Sequence, residues 1–324
     1  MEKRNVKEGE KNERISNRYP MEEEINDDEF YESLSTSTLA SDSGDINHSI
    51  TNLPVKFIPK KPNLEYLYNI DYLDEMFANF LLEEINSKLE IKKQYMNEQK
   101  DINSSMRAIL VNWLIEVHYK LHFKEKTLFK TILIIDLYLS KNIIKRSQFQ
   151  LLGIASLLIA AKENEIIFPS TQELVNITDG AYVKDELIKM EIEILQNLNF
   201  EILRPTAEDF YHILSKYFLF NKQQNDFGEY FLESALVDYN ILKYKSSTIG
   251  VSCIYIVMKY FCINEYKYLF SSKLMIGDSS KNIIKECAKE LCFLMKSLTT
   301  SNLTAVKEKF SSKEYSNVAS LCKV

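Results

Sequence analysis

Residues 103–121 read NSSMRAILVNWLIEVHYKL. Met106, Ile109, Leu110, Trp113, Leu114, Val117 and Leu121 recur at helical spacings and lay one broad apolar face along an α-helix. Ser104 and Ser105 stand where such a helix needs an N-cap acceptor. The chain's single tryptophan lies in the middle of that face. Arg107 comes directly after Met106 and borders the face. An arginine cannot shed its charge, so at such a position it either snorkels to water or pairs with a carboxylate. Asp136, set in the apolar run LIIDLYLS at 133–140, needs a partner too and is the best candidate for a structural ion pair.

The composition around this helix suits helical cores. The chain has 324 residues and 45% apolar content, enough for two helical domains. Seven glycines and six prolines are too few for a turn-rich all-β fold. The net charge of −6 argues against a nucleic-acid binder acting by bulk electrostatics. Residues 1–50 hold 13 acids against 6 bases, so the acidity belongs to the tail and the rest is nearly neutral. Five cysteines without a CxxC pair read as buried, reduced thiols. His48, His118, His122 and His212 are not spaced with the cysteines as zinc ligands, so no metal is expected. The longest apolar runs, 151–161 and 249–258, fall short of the ~20 residues that cross a bilayer, so no membrane span is expected. No Gly-rich phosphate loop, nucleophile elbow or HExxH motif occurs, so neither an enzyme nor a cofactor is expected.

In chain order, residues 1–62 read as a disordered acidic tail and a proline-containing linker, TNLPVKFIPKKPN. The hydroxyl-rich YESLSTSTLASDSGD at 31–45 reads as a solvated spacer, with phosphorylation control as the sharper alternative. Periodicity predicts helices over 64–89, 103–121, 126–139, 146–162, 171–177 and 183–198. Arg204-Pro205-Thr206 then separates a domain over 63–203 from one over 204–324, because Pro205 disfavours a helical Arg204 and Thr206 can cap the next helix. Further helices are predicted over 207–220, 227–243, 246–262 and 283–298. GIASLLIAAK at 153–162 and GVSCIYIVMK at 250–259 keep glycine and lysine at one spacing, as a duplicated helical domain would. Lys162 closes the first of these runs, and Glu191 lies at the edge of the apolar face of the 183–198 helix. From the residues alone, these two form at most a surface pair worth about 0–1 kcal/mol.

Several separated motifs occur in a recognisable order. They are KDIN at 100–103, MRAILVNWLIEV at 106–117, IIDLYLS at 134–140, QLLGIASLLIAAK at 150–162, ITDGAYVKDELIKMEIEILQNLNFEI at 177–202 and RPTAEDF at 204–210. Together they resemble the cyclins, and KDIN before MRAIL resembles the B-type, mitotic members, over roughly residues 60–300. The resemblance implies an all-α fold of two tandem five-helix cyclin boxes. An N-terminal helix would precede them, packed outside the first box and touching a kinase. It implies a regulatory subunit that binds and activates a cyclin-dependent serine/threonine kinase at G2/M and helps recruit substrates. Residence in nucleus and cytoplasm is expected.

The resemblance also assigns residues. Lys162 and Glu191 would grip the main chain of the kinase segment leading into its αC helix, with Lys184 a secondary candidate. Ile159, Leu195, Ile202 and Leu203 would form a pocket for an αC side chain. Glu163 stands where the family usually has phenylalanine; an acid there is expected to shrink the apolar contact and to suit a basic kinase residue. Met106, Ile109, Leu110, Trp113 and Gln150 would form a shallow patch for RxL-type substrates or inhibitors, with Glu116 receiving the peptide's basic residue. Asn112 replaces the family's frequent aspartate, and the tail lacks the RxxL destruction box usual in mitotic cyclins. The rival readings are a cyclin-fold transcription factor on promoter DNA, which calls for a zinc ribbon and a basic folded region, and a helical scaffold without a kinase.

Overall fold

The computed structural model describes residues 64–264, 269 and 278–322. The expected acidic tail and linker over 1–62 lie outside the described residues, as does its hydroxyl cluster. All regular structure among the described residues is helical. Helix α1 spans Leu64–Asn86, α2 Ser104–Lys120, α3 Glu125–Leu139, α4 Phe149–Asn164, α5 Thr171–Ile177 and α6 Lys184–Asn197. A second set comes after them: α7 over Ala207–Tyr217, α8 over Lys222–Val237, α9 over Ser246–Tyr260, α10 over Asp278–Thr299 and α11 over Ala305–Phe310.

Two helices are apolar nearly all round and sit inside the first bundle. Helix α3 is buried from Thr127 to Leu139, and α4 from Phe149 to Ala161 except Gln150. In the second bundle α9 takes the same place, buried from Ile249 to Lys259 between α7, α8 and α10. Gly153 lets α4 cross α2, since a Cβ there would lie 2.9 Å from Leu110 Cδ1. Gly250 does the same for α9 on α7, with a Cβ meeting the Ala207 carbonyl oxygen at 2.7 Å.

Several boundaries differ from the sequence expectation. The N-cap of α2 is Asn103, not a serine: its extended backbone lets Oδ1 accept from the Met106 amide at 2.9 Å. Helix α8 begins five residues before the expected Phe227, because Asn221 and Gln224 form a capping box ahead of a polar first turn. It stops at Asp238, whose carboxylate caps a separate 3-10 turn over Tyr239–Lys243. Helix α7 ends at Tyr217, short of the expected 220, and Leu219 takes a left-handed φ of 55° beyond it. Helix α11 is absent from the sequence expectation, being a single short piece with no apolar period of its own.

Helix α1 corrects a larger expectation, since it lies against α7 and α9 of the second bundle. Phe77 and Phe80 meet the Phe210 ring edge-on at centroid separations of 5.6 and 6.0 Å. Glu84 accepts from the Ser247 amide at 3.0 Å and from its hydroxyl at 2.5 Å, placing an anion at the N-terminus of α9.

Arg107 joins the two bundles. Its Nε and Nη2 donate to the two Asp136 oxygens at 2.7 Å each, and Nη1 donates to the Leu236 carbonyl at the end of α8 at 2.9 Å. Tyr95 Oη donates to Asp136 Oδ1 at 2.7 Å, and its ring meets Tyr239 edge-on at 5.1 Å. Burial and the Asp136 charge push the Tyr95 hydroxyl far above its usual pKa, so it stays a donor. Each of these charged groups therefore has partners within the dry joint, as a buried charge requires.

Candidate functional site

Lys162 and Glu191 meet at an edge of the first bundle. Lys162 lies in the last turn of α4 just after the buried run stops, so its stem packs while its ammonium emerges. Glu191 rises from α6, which crosses α4, and its Oε1 accepts from Lys162 Nζ at 2.5 Å across 29 residues of sequence. Lys162 is 41% exposed and Glu191 12%. An ammonium has three protons and a carboxylate two oxygens, so the pair keeps both donor and acceptor capacity for another molecule. Lys184 opens α6 two turns before Glu191 and is exposed.

The expected pocket is assembled differently from its sequence reading. Ile159 is buried in the core and offers almost no surface. Leu195 and Ile202 are half-buried and packed on that core. Leu203 alone of the four is freely presented, at 80% exposure. Sequence reasoning missed Ile166 and Ile167, in the loop after α4, which are 92% and 86% exposed, and Ile192 of α6, also exposed. A signal exists in the two isoleucines and a phenylalanine directly before Pro169, but such a run equally marks a helix end.

Glu163 does not face outward as expected. It turns onto Lys130 of α3, Oε1 lying 3.5 Å from Nζ, while Oε2 is buried without a hydrogen-bond partner. Lys130 Nζ also donates to the carbonyls of Ile202 at 3.0 Å and Arg204 at 3.2 Å. Burial pushes the Lys130 ammonium below its usual pKa, opposed by the charges of Glu163 and Asp209. An apolar-looking helix thus hides a lysine whose partners lie on a loop more than 70 residues away.

On α2 the expected peptide patch divides. Ile109 is exposed, and Met106, Trp113, Glu116 and Gln150 are half-buried. Leu110 is a core residue, pressed against Gly153. Asn112 Nδ2 donates to Glu116 Oε1 at 3.1 Å, and Asn112 Oδ1 accepts from the Ala305 amide that opens α11, also at 3.1 Å. An aspartate at 112 would keep the acceptor but repel Glu116, which accounts for the amide. Among the described residues no cluster of three His, Cys, Asp or Glu side chains could hold a metal ion. No described helix is long and apolar enough to cross a membrane.

Comparison with known proteins agrees with this architecture. Residues 75–203 match the family described as Cyclin, N-terminal domain, and residues 205–324 the family described as Cyclin, C-terminal domain. Cyclin-B2-2 of Arabidopsis thaliana is 31% identical over 301 residues, covering 93% of this chain and 65% of the relative. Cyclin-A1-1 of Oryza sativa subsp. japonica is 37% identical over 231 residues, covering 68% of this chain and 44% of the relative. The chain thus spans about half to two thirds of the length of these curated relatives. Among solved structures, a viral cyclin from herpesvirus saimiri superposes with a TM-score of 0.59 at 19% identity, over 68% of this chain and 97% of its own. A chain of the yeast RNA Pol II CTD kinase CTDK-1 complex gives 0.53 at 13% identity, over 69% of this chain and 83% of its own. With both bundles matched in order, the chain belongs to the cyclin family.

Proposed function

We propose that this chain is the regulatory subunit of a cyclin-dependent serine/threonine kinase, acts at G2/M, and brings RxL-type substrates or inhibitors to it through the α2 patch. One observation carries the reading: a lysine and a glutamate from different helices meet at an open edge beside exposed apolar residues. Lys162 has N–H donors to spare for a main-chain carbonyl, and Glu191 has an oxygen to spare for a main-chain amide. Contacts of this kind hold a partner's backbone without depending on its side chains. Activation is then a population shift. Binding favours the kinase arrangement with αC inward, which closes the Lys–Glu pair of its own active site. The B-type and A-type names of the relatives support the mitotic assignment. Residence in nucleus and cytoplasm belongs to the same proposal. The test uses the purified catalytic subunit of a mitotic cyclin-dependent kinase. The wild-type chain should co-purify with it and switch on histone H1 phosphorylation, and Lys162→Ala with Glu191→Ala should abolish both. Unchanged phosphorylation in the double variant would refute the assignment.

A further inference from the structure

Lys130 is 2% exposed and spends its ammonium on a loop. Burying an ammonium is unfavourable by several kcal/mol unless each proton finds an acceptor. Here the Ile202 and Arg204 carbonyls accept from it, and Glu163 Oε1, 3.5 Å away, supplies the counter-charge. The two carbonyls flank Leu203, which is among the most exposed large apolar side chains of the chain. Arg204 is tied further, its Nη1 donating to the Leu89 carbonyl, and Pro205 behind it is buried. A leucine turned to water gains nothing for the fold, yet a buried charge pair holds the backbone on both sides of it. Glu163, adjacent to Lys162, neutralises the lysine and thereby turns away from the surface.

We propose that Lys130 and Glu163 form a positioning strut that presents Leu203 as an apolar anchor for the kinase, taking over the contact that residue 163 itself does not make. The inference rests on the kinase reading above and names the chemistry of the partner: an apolar slot opposite Leu203, beside the backbone gripped by Lys162 and Glu191. Lys130 and Glu163 touch no partner atom in this scheme. They act through the loop.

Affinity for the same purified kinase catalytic subunit, measured in a double-mutant cycle, tests this. Leu203→Ala, an exposed change, should weaken binding about tenfold. The paired change K130M/E163L removes both charges together, avoiding an orphaned ion, and should also weaken binding about tenfold in the Leu203 background. Once residue 203 is alanine, the same paired change should have almost no further effect. Its melting temperature is measured alongside; if K130M/E163L fails to fold, E163Q, which keeps size and shape, takes its place in the cycle. Losses that multiply, or L203A binding as tightly as wild type, would overturn the strut while K162A/E191A still abolishes binding and leaves the kinase reading standing. If the wild-type chain binds no kinase, both fall.

Discussion

Helices α4 and α9 carry glycine and lysine at one spacing, yet their ends meet opposite surroundings. Lys162, in the last turn of α4, is partly exposed and pairs with Glu191. Lys259, nine residues after Gly250, is buried, its ammonium 5.8 Å from the centroid of the Tyr255 ring. The glycines differ too. Gly153 faces the tip of a leucine side chain, and Gly250 faces backbone. The corresponding helix is closed at that end in the second bundle, while in the first its lysine reaches the surface.

The comparison can be broken most severely where the bundles join. Arg107→Ala should lower stability by about 3–5 kcal/mol in denaturant unfolding, because it strands Asp136 in a dry joint. A loss below about 1 kcal/mol would show that the joint is dispensable. Next come the paired glycines. Gly250→Ala drives a Cβ into the Ala207 carbonyl and should cost about 3 kcal/mol, since α7 itself must shift. Gly153→Ala meets only a rotatable methyl of Leu110 and should cost about 1 kcal/mol or less, partly offset by the better helix propensity of alanine. Equal losses in thermal melts would remove the distinction between the two crossings.

The bundles should also answer pH in opposite senses. In the first, burial and the Lys309 charge hold His118 down at about 4, below its usual 6.5. The folded state therefore disfavours the protonated ring, and stability falls as pH drops from 6.5 through 4. In the second, burial, with Glu125 and Glu233 nearby, pushes Glu229 up to about 8 from 4.5. The folded state favours its protonated form, so that contribution is present below pH 4.5 and is lost as pH rises through 8. His118→Gln should flatten the acid limb of a stability–pH curve and Glu229→Gln the alkaline limb. Limbs unchanged by these variants would contradict the assignment. The smallest effect on stability belongs to the open end: Lys162→Ala should shift unfolding by no more than about 1 kcal/mol, even where the proposed kinase activation falls.

Much of this is legible in the residues. Helical periodicity locates α2, α3 and α5 to within a residue, because their apolar positions recur or stop at clear breaks. Arg107 and Asp136 announce each other, since each is a charge in an apolar stretch. What stays hidden involves backbone atoms. The Leu236 carbonyl that receives Arg107, and the Ile202 and Arg204 carbonyls that receive Lys130, carry no side-chain signature. Glu163 reads as outward-facing because its counter-ion sits one helix away, at a position that periodicity assigns to the interior. Ile159 reads as a contact residue because an apolar residue on a helix buried nearly all round gives no sign of which neighbour it meets, and Leu110 because the apolar arc of α2 is wide enough to face both core and surface.

Glu84 has a bearing on how shortened forms of the chain should be made. Its carboxylate accepts from the second amide, and the hydroxyl, at the start of a helix that lies at the heart of the other half of the molecule. A fragment begun after Asn86 would leave Ser247 without that acceptor and would strip Phe210 of its aromatic cover. Trimming the chain to its two repeats would therefore loosen the distal one first.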